Sequence, residues 1–491
     1  MLVDKKLKPA AVATASQPKG WKCIMASPLS PSKPAYSLFD AVEITSDTLT
    51  GRGGLALFSR YLRSVDLFAH LDRLFGSLRK SGKGLAVSTL FHQLFCFFLD
   101  GTSQHLVRFD DLKADEGYAA AIETRPEAMA SSHTIKRFFA SFWWPRIWLF
   151  RHLLLHLFLW RLKLEAPEAV VLGMDSMVMD NNEARVRHGV QPTYKKVKGF
   201  APLHLTWGRF LIDAVFRGGS KHSNSGNTAE KMVRHVVARI RKHYRPDVPI
   251  LFRVDAGFFD HKLFAVFEDL RVGYICTGKL YRDIKAYAAM APTSAWSSYS
   301  TPEQEWRYLE FGDRRGRWKK GRRALLTRPL AEEGQWLLEF ARPDTLLYTN
   351  LGMGEEIDDL LIGAGLGDWT GAKQVIALHH GRGADELVHR ALKEFGSETL
   401  PFKRFAPNAA FYYTMAVAFF LYECFKEDVT EPVLPVPSYP TRLRRIVLDF
   451  AAKVVRTGGR TILKVTRATW DQLQIPTLWA LSRSPPRFTW A

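Results

Sequence analysis

Two apolar runs, AVVLGMDSMV (169–178) and PILFRVDAGFFD (249–260), each end at an aspartate. Runs of this length, rich in Val and Leu and lacking polar alternation, read as strands buried on both faces. Such strands occur in sheets covered by helices. Between them, LHLTWG (203–208) and FLIDAVFRGG (210–219) read as a hairpin joined by a tight turn. Asn227 and Glu230 have capping-box spacing and open a helix through about Tyr244. A helix through Leu270 and a strand GYICTGKL (273–280) follow. The predicted class is α/β, with helices flanking a mixed sheet.

The flanks follow other patterns. Residues 1–45, rich in Ala, Lys, Pro and Ser, read as a flexible leader. Residues 46–165 read as a helical N-terminal domain. Within it, SSHTIKRFFASF (131–142) opens with capping residues and continues as a basic amphipathic helix. That pattern fits a DNA recognition helix presenting Lys136 and Arg137, and equally a capped core helix. Residues 281–350 carry short aromatic strand candidates around the loop DRRGRWKKGRR, a β-rich insertion that divides the core into 166–280 and 351–430. Residues 431–491 begin with the proline-rich EPVLPVPSYP and continue as a basic C-terminal segment.

Charge narrows the partners. Lys+Arg 69 against Asp+Glu 49 leaves a formal net charge of +20, a field that favours a polyanion. Nucleic acid is the expected partner and an anionic membrane surface the alternative. The apolar runs 84–99, 152–160 and 408–422 are each shorter than the roughly 20 residues that span a bilayer, and read as buried helices. The four cysteines (Cys23, Cys96, Cys276 and Cys424) form no Cys-x-x-Cys pair, which argues against a zinc site or a disulfide framework and suits a reducing cytoplasm. There is no Gly-x-Ser-x-Gly elbow, and RKSGKG (79–84) lacks the spacing and the final Ser/Thr of a phosphate loop.

What remains is a set of acids. Asp175 and Asp255 end strands of an α/β sheet, where ligands bind in the crevice beyond the strand ends. Asp180 and Asp260 lie close enough to compete for those roles. IALHHGRGADELVHRALKEF (376–395) reads as one helix, on which His379, Arg382, Glu386 and Lys393 share a face at steps of three, four and seven. That stripe is either a solvated face or a metal-binding carboxylate between phosphate-binding cations. Three hard oxygen donors suit one or two Mg²⁺ or Mn²⁺ ions, and two such ions can assist phosphodiester cleavage.

At these residues the chain resembles the DDE transposases of bacterial insertion sequences. One branch of that group carries Tyr-x2-Arg-x3-Glu-x6-Lys on the helix bearing its last acid. His379, Arg382, Glu386 and Lys393 match that spacing at every step, with His in place of Tyr. MDS around Asp175, VDAGF (254–258), KGFAPLHL (198–205) and RGGSKHSNSG (217–226) extend the likeness, which runs from about residue 46 to 480.

The resemblance implies a ribonuclease-H-like core preceded by a helical DNA-binding domain and interrupted by a β-rich insertion. It implies Asp175, Asp255 and Glu386 as catalytic and metal-binding residues, with two Mg²⁺ ions for which Mn²⁺ substitutes. Arg382 and Lys393, with His379 in the tyrosine's place, would contact the phosphates of a transposon end. Lys136, Arg137 and the loop residues Arg314, Arg315, Arg317, Trp318, Lys319 and Lys320 would contact DNA as well. Trp296, Trp306, Trp318 and Trp336 are candidates to stack on a flipped base. The implied partners are double-stranded DNA, as inverted-repeat ends and as target, and a second copy of the chain in the complex, with no membrane. The implied activity is metal-dependent strand cleavage and strand transfer. The alternatives are a transposase-derived DNA-binding protein without catalysis and a ribonuclease-H-like nuclease.

Overall fold

The strands predicted on either side of the first aspartate assemble into a ten-stranded mixed sheet. Its main strands are β1 (Val170–Ser176), β2 (Leu203–Trp207), β3 (Phe210–Val215), β4 (Ile250–Val254), β5 (Gly273–Thr277), β6 (Trp296–Ser300), β7 (Gln304–Asp313), β8 (Arg322–Glu332) and β9 (Thr345–Thr349). They lie in the order β6-β7-β8-β9-β5-β4-β1-β2-β3. β1 is parallel to β4 and β4 to β5, whereas β2 and β3 are antiparallel. The computed structural model describes residues 41–79, 84–184, 186–302, 304–316, 318–332, 335–337 and 342–490. The predicted leader up to residue 40, Cys23, most of RKSGKG and Arg317 therefore lie outside the described residues.

The three apolar runs become helices of one continuous core. Val87–Asp100, Trp144–Glu165 and Phe405–Phe425 pack together, and the last is buried along nearly all its length. A helix apolar on all sides belongs in the interior of a protein. Among the described residues no helix is long and apolar enough to cross a membrane. Each fully buried Phe or Leu contributes roughly 1.5–3 kcal/mol of transfer free energy.

Several local expectations change in the structure. Thr228–His243 is helical, but its N-cap Asn227 has φ 56° and makes no side-chain cap bond, so the capping box does not form. The strands of the β-rich segment are continuous with the large sheet, because β9 pairs directly with β5. The basic tail contains a hairpin, Ala452–Thr457 with Arg460–Val465, that adds to Thr48–Thr50. Its two-residue turn, Gly458-Gly459, has φ +54° and +72°, values that only glycine adopts freely.

A buried ionic cluster joins the helices to the β2–β3 turn. Arg161 donates to Glu427 at 2.6 Å and Asp428 at 2.8 Å, and Lys426 lies 2.8 Å from Glu423. Burial pushes the Glu423 carboxyl up to about 7, despite Lys426 and Arg209 beside it. A carboxyl whose folded pKa is raised favours the fold when protonated, and that contribution is lost as pH rises from about 4.5 to 7. Glu423→Gln is therefore expected to gain stability relative to the parent chain across this window, by about 3 kcal/mol. Thermal melts of the two proteins at pH 4.5 and 7.5 check it; a constant difference counts against the assignment.

Candidate active site

Register places the two aspartates. Met174 of β1 pairs in parallel with Val254 of β4, so Asp175 and Asp255 follow at the same end of neighbouring strands. Adjacent strands lie roughly 4.8 Å apart, so the two carboxyl groups start close together. Asp255 Oδ1 accepts from the Gly257 backbone N–H at 2.9 Å, capping a short turn. Asp175 Oδ1 accepts from the Ser176 N–H at 2.6 Å. Burial raises both carboxyls above their ordinary range, and the neighbouring acids add to it: Glu386 for Asp175, and Asp175 with Glu386 for Asp255. The three acids therefore share one electrostatic environment.

The helix predicted over 376–395 is two helices, Ala372–His380 and Arg382–Phe395, broken at Gly381. Long-range packing overrides the local helical pattern here. A Cβ at Gly381 would lie 2.5 Å from Arg253 Nη1, so the arginine from β4 occupies the break. Its other nitrogen, Nη2, donates to Asp385 at 2.9 Å in a buried ion pair. Asp385 sits over Gly173 of β1, where a Cβ would come within 2.6 Å of the carboxyl carbon. Glycine at 173 thus lets the second helix approach the sheet. Burial, opposed by Arg253, pushes Asp385 up to about 6.

The break separates the predicted stripe. His379 is on the first helix, where Nε2 meets Thr277 Oγ1 at 3.1 Å, and burial lowers its pKa to about 3, so it is neutral. Arg382, Glu386 and Lys393 remain on the second. Arg382 donates to Glu386 at 2.6 Å, and Lys393 to Glu398 at 2.7 Å. Gly173, Asp175, Arg253, Arg382, Asp385, Glu386 and His389 line a single cleft.

Three residues not singled out in the sequence adjoin the acids. His389 Nδ1 is 3.9 Å from Asp175 Oδ2, and its ring packs 4.8 Å from that of His204, the register partner of Asp175 on β2. Burial lowers His389 to about 4. Tyr194 is exposed and its hydroxyl donates to the Ser176 carbonyl at 3.4 Å. Partial covering of the hydroxyl and then the charges of Asp175, Asp255 and Glu386 raise that phenol. Nothing local marks these residues, since strand register and helix packing bring them in.

The other predicted contacts lie elsewhere. Lys136 and Arg137 are exposed on the helix Ser132–Ala140, whose N-cap Ser131 accepts from the Thr134 N–H. In the basic loop, Arg314 and Lys319 are exposed. Arg315 pairs with Asp313 and Asp283 and stacks on Tyr281 at 4.3 Å, while Lys320 pairs with Glu268 and Glu355. Trp318 is buried against Phe259, Tyr348 and Arg322.

A carboxylate cluster of this kind suits hard divalent cations through its oxygen donors. Among the described residues no group of three His, Cys, Asp or Glu side chains stands ready to hold a metal ion. Glu386 is instead engaged by Arg382. The donor chemistry fits a divalent ion, whose charge would offset the burial, and the repulsion by Asp175 and Glu386, that raise Asp255.

Comparison with known proteins gives a family match. A family model described as "Transposase DDE domain group 1" matches residues 40–483. No curated protein matches the chain. Among solved structures, the cryo-EM structure of a piggyBac transposase synaptic complex with hairpin DNA aligns at 11% identity and TM-score 0.36. That alignment covers 80% of this chain and 79% of the other, and no residue or role is carried over from it.

Proposed function

The chain belongs to the transposase DDE domain group 1 family, and from that premise we propose a DNA transposase that binds terminal inverted repeats and catalyses strand cleavage and strand transfer. The observation that carries this reading is the emergence of Asp175 and Asp255 side by side from parallel strands, with Glu386 lining one cleft with Asp175 and its charge acting on Asp255. The strand order β3-β2-β1-β4-β5, with the last three parallel, supports a ribonuclease-H-like core.

In the proposed reaction a water oxygen bonds to phosphorus while the P–O3′ bond breaks, leaving a 5′-phosphate and a 3′-hydroxyl. That hydroxyl then attacks a phosphodiester of target DNA and displaces its 3′-oxygen, so the number of phosphodiesters is conserved. Asp175, Asp255 and Glu386 would hold divalent ions, with Mg²⁺ the expected species, and these supply Lewis acidity at the attacking and leaving oxygens. The chain's own cations orient the strand. Arg382, released from Glu386, and Lys393, released from Glu398, would bind phosphate oxygens. Arg253 fixes the Glu386 helix through Asp385 and holds the preceding helix through the Leu378 carbonyl.

The test is a nicking assay on duplex DNA carrying the ends of the element, with Mg²⁺ and with EDTA. Cleavage in Mg²⁺ that EDTA abolishes supports the reading. Binding without nicking in Mg²⁺ or Mn²⁺ favours a DNA-binding protein without catalysis, an alternative to which the Arg382–Glu386 pair lends support. Affinity for the ends is expected to fall roughly a thousand-fold between 50 and 200 mM salt if about six phosphates are contacted. Binding indifferent to ionic strength would remove the electrostatic argument.

A further inference from the structure

Of the tryptophans in the β-rich segment, Trp306 and Trp318 are buried, and Trp296 is flanked by Arg307 and Arg328 at 4.9 and 5.0 Å. The side chain of Trp336 lies outside the described residues, and among the described tryptophans the three most exposed are elsewhere. Trp143, Trp144 and Trp148 expose 57%, 52% and 57% of their surface at the start of the helix Trp144–Glu165. Phe142, Ile147 and Phe150 turn into the core, which leaves Trp144 and Trp148, four residues apart, on the outer face. Tryptophan is seldom left in water, and an exposed aromatic cluster marks a binding surface.

Charge identifies the occupant. No acidic residue occurs between Glu127 and Glu165, whereas Lys136, Arg137 and Arg146 fall there; Arg151 is paired with buried Asp213 and lies over one face of the Trp148 ring at 4.9 Å. Lys136 and Arg137 are exposed, and so are Lys403 and Arg404 beside Phe405, whose ring lies 5.5 Å from Trp144. A second copy docking here would set basic face against basic face. Alternating aromatic rings and cations is the pattern that binds single-stranded nucleic acid, rings stacking on bases and cations on phosphates.

The patch is connected to the acids. Phe405 packs 6.1 Å from Phe200, on a strand paired with Gln191–Pro192. The turn after Pro192 carries Tyr194, which bonds to the residue following Asp175.

We propose that Trp143, Trp144 and Trp148 form a stacking platform for unpaired DNA bases, with Lys136, Arg137, Lys403 and Arg404 binding the flanking phosphates. This deepens the transposase reading, on which it rests, by assigning the surface that takes the unpaired part of a DNA end.

The test measures binding of the full chain to a 20-nucleotide oligo-dT and to a duplex of equal length by fluorescence anisotropy in EDTA. Without divalent metal no cleavage enters, so failure of the catalytic reading leaves the result intact. Trp143→Ala combined with Trp148→Ala is expected to weaken oligo-dT binding ten-fold or more and duplex binding less than two-fold. Trp148→Phe, which keeps a ring, is expected to retain most of the affinity. Lys136→Gln with Arg137→Gln is expected to weaken both ligands and flatten the salt dependence. Unchanged oligo-dT affinity in the double tryptophan variant, with an unchanged melting temperature, overturns the proposal. So does a loss of self-association by light scattering, or of binding to anionic vesicles, at unchanged oligo-dT affinity. If the double variant melts early, Trp143→Ala alone decides, because that exposed ring has no stacking partner among the described residues.

Discussion

Asp255→Asn is expected to abolish strand cleavage, by three orders of magnitude or more, while leaving folding and DNA affinity intact. Asparagine keeps an oxygen to accept from the Gly257 N–H, so the cap on the turn after β4 survives. Only the negative charge is lost, and with it the group that would hold a divalent ion. A thousand-fold drop corresponds to about 4 kcal/mol of transition-state stabilisation. Asp255→Ala removes charge and cap together, and the cap alone is worth about 1 kcal/mol of stability. A matching loss in both variants, with early melting only in the alanine form, assigns the effect to charge. DNA affinity is expected to hold or rise, since a negative charge is lost beside the proposed phosphate contacts. Cleavage at the parental rate by the asparagine form would remove Asp255 from the triad.

Arg253→Ala carries the largest expected cost to stability. It leaves Asp385 buried against Gly173 without its cation and empties the space in the break at Gly381. Deleting one partner of a buried ion pair typically costs 3–5 kcal/mol. The low end of that range is expected, because Asp385 already lies near 6 and can take up a proton when its partner is gone. Arg253→Met with Asp385→Leu replaces the pair by apolar groups and is expected to recover most of the loss. Urea denaturation at pH 7.5 reads both. A single variant within about 1 kcal/mol of the parent would show that Arg253 does not anchor the helix.

These residues mark where the sequence is readable. The strands ending at Asp175 and Asp255 are legible because doubly buried strands advertise themselves as apolar runs, and the apolar helices for the same reason. The Arg382-to-Lys393 segment is legible through helical spacing. The break at Gly381 is not, because its cause is Arg253, brought there from another strand. His389 and Tyr194 were missed for a like reason, as their neighbours come from register and packing. Trp318, a candidate DNA contact within a run of cations, is buried, and its ring covers Phe259 and Tyr348. The opposite happened at Trp143, Trp144 and Trp148, which sit in an apolar-looking run and remain in water. A composition window reports neither outcome, since both depend on which face of an element meets the rest of the molecule.

The pairing of β9 with β5 bears on how this chain could be shortened or recombined. Strands β6 to β9 are the outer half of the sheet, not a cassette tethered by flexible joints. Trimming them away would leave the backbone groups of β5 unpaired along a newly created border, a template for pairing with other molecules. Truncated forms should therefore precipitate rather than report on the remaining half, and grafts between relatives have better prospects with junctions in loops outside the whole sheet.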